Sequence, residues 1–271
     1  QMQVPLQNHT LHFLKIITSW EAMLVSCNFG NNIKITIFGQ SHSEAIGVVI
    51  DGLPAGFKID NEKISAFMAR RAPGNSKLST PRKEADEVKI LSGVVDNVTC
   101  GAPLCAVIEN TNTRSGDYDK LQFIPRPSHS DFAAMMKHGG FNDIRGGGNF
   151  SGRLTAPLCF AGAVCMQMLE EKDIHIGAHI SSIGKTDDER FNAVTVCKND
   201  FESILSKPFP VICDKKGELM QKEIYDAKAN GDSVGGTIEC AVVGMPAGIG
   251  DPIFDGIENR ISSAVFGIPA I

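Results

Sequence analysis

Two histidines lie in short polar loops whose other residues are small and carry hydroxyl groups. His42 lies in the segment GQSHS, directly after the apolar run IKITIF, and His129 lies in the segment RPSHSD. Histidine changes charge near neutral pH, and small neighbours allow a substrate to approach the ring closely. Both loops are therefore candidate sites of proton transfer, with a surface-loop histidine without a function as the alternative for His42.

Arginine and lysine residues are concentrated in one segment of a chain whose net charge is -5. Guanidinium groups bind phosphate and carboxylate groups through paired hydrogen bonds, so this segment is a candidate anion site. A solvated basic face is the alternative. Because no global positive charge is present, we expect neither nucleic acid nor a membrane as a partner. The basic residues of the segment are Arg70, Arg71, Lys77, Arg82 and Lys83.

A glycine-rich loop, RGGGNFSGR, joins Arg145 to Arg153. Glycines directly before a helix expose backbone N–H groups, and the positive end of the helix dipole favours an anion there. The pattern predicts an anion cradle before a helix that begins near Ser151, with a structural turn as the alternative. It matches neither the P-loop nor the dinucleotide fingerprint. His175 and His179 lie in a strand-like segment and are interpreted as structural.

A strand, a G-x-P-A-G turn and a helix occur twice, once near each end of the chain. In the first copy, strands at 33–38 and 46–50 precede GLPAG, and Asp60 is the predicted helix cap. In the second copy, a strand at 237–244 precedes GMPAG, and Asp255 is the predicted cap. The repeat predicts internal pseudo-two-fold symmetry. The fold class is therefore α+β, a β-α-β sandwich with central helices between two antiparallel sheets.

The elements between the two copies complete this prediction. Strands are expected at 89–94 and 102–110, with a short helix near 131–138. The helix that begins near Ser151 carries apolar residues on most faces, so we expect it to be buried. Residues 184–217 are polar and are interpreted as an insertion.

The 271 residues, of which 42% are hydrophobic, indicate a globular protein. The eight cysteines contain no C-x-x-C pair and are interpreted as reduced core thiols. No apolar run reaches the length of a membrane span. We expect residues 1–22 to be a leader or tag without a function and residues 23–271 to form one domain. The chain ends on the apolar run IPAI, so we expect that domain to lack its C-terminal part.

The ordered motifs resemble those of the chorismate synthase family over residues 29–271. They include FGQSH, GLPAG, RRAPG, STPRKE-x-D, ILSGV, IENTNTRS-x-DY, RPSHSD, DIRGGG, SGRLTAP, GDSVGG and MPAGIGDPIFD. The resemblance implies a 1,4-anti elimination that converts 5-enolpyruvylshikimate 3-phosphate to chorismate and phosphate. It also implies reduced FMN as cofactor, NADPH only if the protein reduces its own flavin, a homotetramer, and a cytoplasmic location.

The same resemblance assigns roles to residues of this chain. His42 and His129 match the family's catalytic histidines, and no metal is implied. The positions that match substrate contacts are Ser41, Arg71, Lys77, Arg126 and Arg153. The positions that match flavin contacts are Asn149, Phe150, Ser151, Pro269 and Ala270. The chain departs from the family's usual residues at Gln40, Ser43, Ala72, Ser128, Asn149 and Phe150.

Two alternatives to this function stay open at the level of sequence. One is a truncated or degenerate homologue that binds anions or assembles without catalysis. The other is a phosphate-transferring or hydrolytic enzyme that uses the same basic loops. A metal ion would be expected for the second, and the sequence has no carboxylate cluster that would hold one.

Overall fold

Alternating apolar residues build the first sheet and direct one of its faces to the core. Ile46, Val48 and Ile50 are fully buried on the third strand, and they pair in register with Ile108, Ala106 and Leu104 of a neighbouring strand. Because side chains alternate between the two faces of a strand, this pattern places all of these residues on one face. The predicted strands at 33–38 and 46–50 are confirmed, with bounds that differ by about one residue.

The computed structural model describes residues 27–73, 84–111, 124–269 and 271. Its strands are β1 (Asn28–Phe29), β2 (Lys34–Gly39), β3 (Ala45–Asp51), β4 (Val88–Ser92), β5 (Val94–Val95), β6 (Val98–Thr99), β7 (Leu104–Glu109), β8 (His175–Ile183), β9 (Thr186–Asp187) and β10 (Gly236–Val243). Its α-helices are α1 (Asn61–Arg71), α2 (Asp131–Lys137), α3 (Thr155–Glu170), α4 (Lys198–Leu205), α5 (Asp214–Ala229) and α6 (Ile257–Val265). The segments Arg145–Phe150 and Gly152–Leu154 form 3₁₀ turns.

Two antiparallel sheets enclose the central helix α3. The first has the strand order β1-β2-β3-β7-β4 and the second has the order β10-β8-β9, while β5 and β6 form a separate ribbon. Helix α3 contacts β3 and β7 of the first sheet and β8 of the second, and α1 packs along it. Apolar residues on most of its faces, including Phe160 and Val164, are buried. The predicted α+β sandwich around central helices is confirmed.

The prediction that the central helix begins near Ser151 is wrong by about one turn. Ser151 has an extended backbone with ψ 142°, and its Oγ accepts a hydrogen bond from the backbone N–H of Arg153 at 3.3 Å. This contact caps the short 3₁₀ turn Gly152–Leu154, and the α-helix begins only at Thr155. The glycine loop therefore does not lie directly at the α-helix N-terminus, so the α-helix dipole cannot be credited to it.

The repeated strand–turn–helix unit is present at both ends of the chain. Gly52 and Gly244 both have positive φ, at 89° and 79°. A Cβ atom at Gly52 would collide with the carbonyl oxygen of Asn32, and one at Gly244 would collide with that of Asp173. In each unit the obstructing carbonyl lies just before the neighbouring antiparallel strand. Both turns therefore need glycine for the same two reasons, an unusual φ and a close backbone approach.

The predicted helix caps of the two units have different outcomes. Asp60 caps α1 as expected, because its Oδ1 accepts from the backbone N–H groups of Glu62 at 2.9 Å and Lys63 at 3.1 Å. The prediction of Asp255 as a cap is wrong, since Gly256 occupies the cap position of α6. Asp255 instead forms an ion pair with Arg260.

Two interpretations of the remaining sequence also need correction. The segment 184–217 is not merely a polar insertion, because it contributes α4 and buries Phe201, Ile204 and Val211. All eight cysteines are free thiols, but four of them are exposed and are not core residues: Cys27, Cys100, Cys197 and Cys240. Within the described ranges, no helix has the length and apolar character needed to cross a membrane.

Candidate active site

Three consecutive glycines bring the two loop histidines to one place. Gly146, Gly147 and Gly148 have φ values of 58°, 86° and 57°, a backbone region that other residues rarely adopt. A Cβ atom at Gly146 would collide with the ring of His42. One at Gly147 would lie 3.1 Å from Cε1 of His129. The glycine loop thus provides both the backbone shape and the space that let these two rings approach it.

The loop that carries His42 is held by its own hydroxyl groups and by the glycine loop. The backbone N–H of Ser41 donates to the carbonyl oxygen of Gly148 at 3.1 Å. Oγ of Ser43 accepts from the backbone N–H of Gln40 at 2.9 Å and lies 2.8 Å from the Gln40 carbonyl oxygen, which makes a tight turn. Ser41, a proposed substrate contact, is only 1% exposed, and its hydroxyl faces Gly146 beside the His42 ring.

His129 is oriented by a buried carboxylate two residues further along the chain. Its Nδ1 lies 2.6 Å from Oδ1 of Asp131. Arg126 binds the same carboxylate through Nε at 2.8 Å and through a terminal nitrogen at 2.9 Å. The hydrogen bond from Arg126 lowers the pKa of Asp131 to about 2, so this carboxylate stays ionised. An ionised carboxylate at Nδ1 favours the tautomer with its proton on Nδ1, and Nε2 lies 3.2 Å from a terminal nitrogen of Arg126.

A second cluster joins two arginines to buried carboxylates. Asp86 has no exposed side-chain surface, and its two oxygens bind Arg71 and Arg153, one each. Glu84 lies 3.0 Å from Nε of Arg153. The side chain of Arg153 is only 3% exposed, whereas that of Arg71 is 20% exposed. The structure therefore places Arg153 inside the protein and leaves Arg71 partly open to solvent.

Asn110 connects this arginine cluster to the His42 loop. Its Oδ1 accepts from Nε of Arg153 at 3.1 Å. Its Nδ2 donates to the carbonyl oxygens of Gln40 at 3.1 Å and Ser43 at 2.8 Å. The two halves of the site thus share a continuous hydrogen-bond network. These contacts connect the His42 loop to Arg153 and, through Asp86, to Arg71.

The arginines of the site are neutralised by carboxylates of the same chain. Besides the pairs above, Nε of Arg145 lies 2.8 Å from Oδ1 of Asp143. This hydrogen bond lowers the pKa of Asp143, and the nearby charge of His42 contributes in the same direction. These ion pairs therefore hold the arginines at fixed positions and offset their positive charge.

The proposed flavin contacts are only partly brought together. Asn149, Phe150 and Ser151 directly follow the glycine loop, and the Phe150 ring meets the His138 ring edge-on with centroids 6.1 Å apart. Pro269 is exposed beyond α6. Helix α6 borders a cavity of about 420 Å³ that is lined by residues including Lys34, Asp51, Arg260 and Ser263. Lys34 and Asp51 lie at the end of the β2–β3 hairpin opposite His42. Lys77 and Ala270 lie outside the described residues.

Several residues of this site were missed by reasoning from the sequence. Their signals were present, because Glu84 and Asp86 belong to the motif STPRKE-x-D, Asn110 to IENTNTRS, and Asp131 follows His129 by two positions. Nothing in those motifs indicates which arginine each carboxylate binds. The structural interpretation of His179 agrees with its surroundings, since its side chain is fully buried between Asp188 and Glu239.

Comparisons with known proteins agree with this arrangement. The family model for chorismate synthase matches residues 33–271. The chorismate synthase of Lancefieldella parvula is 40% identical over 259 residues, which cover 92% of this chain and 68% of that protein. That of Korarchaeum cryptofilum is 38% identical, with 90% and 66% covered. A crystal structure of chorismate synthase superposes with a TM-score of 0.66 at 25% identity, and 89% of this chain and 66% of that chain are covered. The chain thus spans about two thirds of the length of these relatives.

Proposed function

Because this chain belongs to the chorismate synthase family, we propose that the protein containing it converts 5-enolpyruvylshikimate 3-phosphate to chorismate and phosphate. The reaction is a 1,4-anti elimination. One ring C–H bond and the C–O bond to phosphate break, and a new ring double bond forms. The observation that carries the proposal is the approach of His42 and His129 to adjacent glycines of one loop. This arrangement offers two proton-exchanging groups beside a single loop.

The residues of the site suit a polyanionic substrate and leaving group. Arg71 and Arg126 are partly exposed and are held by Asp86 and Asp131, so they can present N–H groups without moving. Donors that are already in position stabilise charge that develops on a leaving phosphate better than donors that must reorganise. We assign Arg71 and Arg126 to the anionic groups of the substrate, and His42 to the departing phosphate. Arg153 supports them from its buried position.

Reduced FMN is the proposed cofactor, as the family resemblance implies. When bound, it supplies a transient electron, and the reaction has no net redox change. The half-buried Asn149 and Phe150 and the hydroxyl of Ser151 fit a group that has both an aromatic face and polar edges. His129, whose Nε2 would lie 3.4 Å from a Cβ at Gly147, is the residue that would exchange a proton with it. NADPH enters the proposal only if the protein reduces its own flavin.

The remaining expectations belong to the same proposal. We expect a small-molecule substrate, a homotetramer, a cytoplasmic location, and no nucleic acid or membrane partner. Anion binding without catalysis stays the alternative, and no comparison favours it.

Anaerobic assay of chorismate formation with dithionite-reduced FMN tests the proposal. We expect turnover by the complete gene product, and none without flavin. The His129→Ala variant should lower kcat by about 10²–10⁴-fold if His129 transfers a proton. His175→Ala is the matched control, because His175 lies on β8 in the second sheet and pairs with the exposed Asp173. Tight phosphate binding without any chorismate would favour the alternative.

A further inference from the structure

We infer that Asp86 is a positioning residue, which holds Arg71 and Arg153 at a fixed separation and through them orients the His42 loop. The inference deepens the proposed function and rests on it. Asp86 touches no reacting group, so its effect on the reaction passes through other side chains.

The carboxylate of Asp86 joins two parts of the chain that are distant in sequence. One oxygen binds Arg71 at the end of α1, and the other binds Arg153 in the turn before α3. The contacts give one buried anion two guanidinium partners. A buried carboxylate is stable only when it is paired with a cation. The Asp86 side chain therefore favours positions of Arg71 and Arg153 at which both guanidinium groups contact it. The position of one arginine therefore constrains the position of the other.

The constraint continues from Arg153 to the catalytic loop. Nε of Arg153 donates to Asn110, and the amide nitrogen of Asn110 donates to two carbonyl oxygens of the loop that surrounds His42. Each link is a hydrogen bond between groups that are at least half-buried. A displacement of Arg153 would remove the contact that fixes the Asn110 amide. The loop would then depend more on its other external contact, the hydrogen bond from Ser41 N–H to Gly148.

The charges around Asp86 distinguish a residue that positions the arginines from a residue that binds the anionic substrate. Asp86 and Glu84 together offset the charges of Arg71 and Arg153. Removal of one carboxylate charge leaves the site more positive, so affinity for an anion should not fall. Catalysis should fall, because a misplacement of about 1 Å can cost about 10²-fold in rate. A loss of kcat with retained phosphate affinity is the signature of positioning.

The backbone at Asp86 favours asparagine as the conservative test. Its φ is 51°, in the left-handed region that aspartate and asparagine tolerate better than most other residues. Asp86→Asn therefore keeps the backbone preference and the size of the side chain and removes only the charge. The matched control is Glu87→Gln, which removes a carboxylate charge from the exposed neighbouring position.

The experiment compares the two variants with the wild-type protein in three measurements. In Asp86→Asn we expect kcat to fall by about 10²-fold, KM to change by less than about threefold, and the dissociation constant for inorganic phosphate to stay level or decrease. We also expect the histidine NMR signals of His42 to shift while those of His175 stay in place. Glu87→Gln should match the wild type throughout. An unchanged kcat, or an unmoved His42 signal, in folded Asp86→Asn overturns the inference.

The inference can still be tested if Asp86→Asn does not fold, or if the proposed function is wrong. If Asp86→Asn does not fold, Arg153→Lys takes its place, since lysine keeps the charge but has one nitrogen in place of the two, Nη1 and Nε, that bind Asp86 and Asn110. The same loss of kcat with retained phosphate affinity is expected, and wild-type behaviour overturns the inference. Absence of chorismate formation by the wild type would reject the proposed function. The His42 signals would still decide whether Asp86 positions the loop.

Discussion

Nδ1 of His129 lies 2.6 Å from Oδ1 of Asp131, and the same carboxylate is bound by Arg126. This pair makes His129 an oriented imidazole rather than a mobile surface side chain. It also couples the site to the stability of the fold, because Asp131 is buried.

The stability of this contact should depend on pH in a defined direction. Arg126 lowers the pKa of Asp131 from 3.8 to about 2, so the ionised form stabilises the folded state. That contribution is present above pH 4 and is lost as the pH falls through about 2. At 1.36 kcal/mol per pKa unit it amounts to about 2 kcal/mol. Asp131→Asn should lower the free energy of unfolding by about this amount at pH 7, measured by urea denaturation.

The difference between Asp131→Asn and wild type should shrink below pH 4 and vanish as the pH falls below about 2. Asp51→Asn, at an exposed position at the end of β3, is the control and should show little change. A difference that stays constant from pH 7 to pH 2 would show that the charge of Asp131 is not what stabilises the fold.

Gly146→Ala should damage both the fold and the reaction. The added Cβ would collide with the His42 ring, and alanine at φ 58° is strained by about 1–3 kcal/mol. We expect a decrease of about 10²-fold in kcat. Gly152→Ala is the control, because its Cβ would meet nothing within 4 Å. Steady-state kinetics and thermal unfolding measure both effects. Equal behaviour of the two variants would contradict the close approach of His42 to the loop.

His179 should matter for stability and not for catalysis. Its Nε2 lies 2.7 Å from Oε2 of Glu239 and its Nδ1 lies 3.2 Å from Oδ2 of Asp188, with no exposed side-chain surface. Removal of one partner from a buried charged group costs about 3–5 kcal/mol. His179→Leu should lower the free energy of unfolding by that order and leave the kcat of folded protein unchanged. A selective loss of kcat would place His179 in the reaction.

The two repeated turns should respond to alanine in parallel. Gly52 and Gly244 face a carbonyl oxygen, whereas Gly56 and Gly248 have similar positive φ values but open space where a Cβ would lie. Alanine at Gly52 or Gly244 should therefore be more destabilising than alanine at Gly56 or Gly248, respectively, because only the first pair adds a collision to the φ cost of about 1–3 kcal/mol. Chemical denaturation of the four variants tests this. Different rankings in the two units would contradict the repeat.

The sequence by itself determined the elements and the family. Local alternation of apolar residues predicts β2, β3 and β7, the capping oxygen of Asp60 predicts the start of α1, and the paired G-x-P-A-G turns predict the repeat. These signals are local, since strand alternation, capping and turn geometry depend on residues within a few positions. The motifs around His42 and His129 likewise sufficed to indicate the family and the candidate site.

The tertiary structure alone decided how the charged residues are paired. Asp86 and Arg153 are 67 positions apart, and Asn110 reaches the carbonyl of Gln40 across 70 positions. No periodicity or spacing encodes such contacts, because burial sets their strength and only the packing of α1, α3 and the first sheet brings them together.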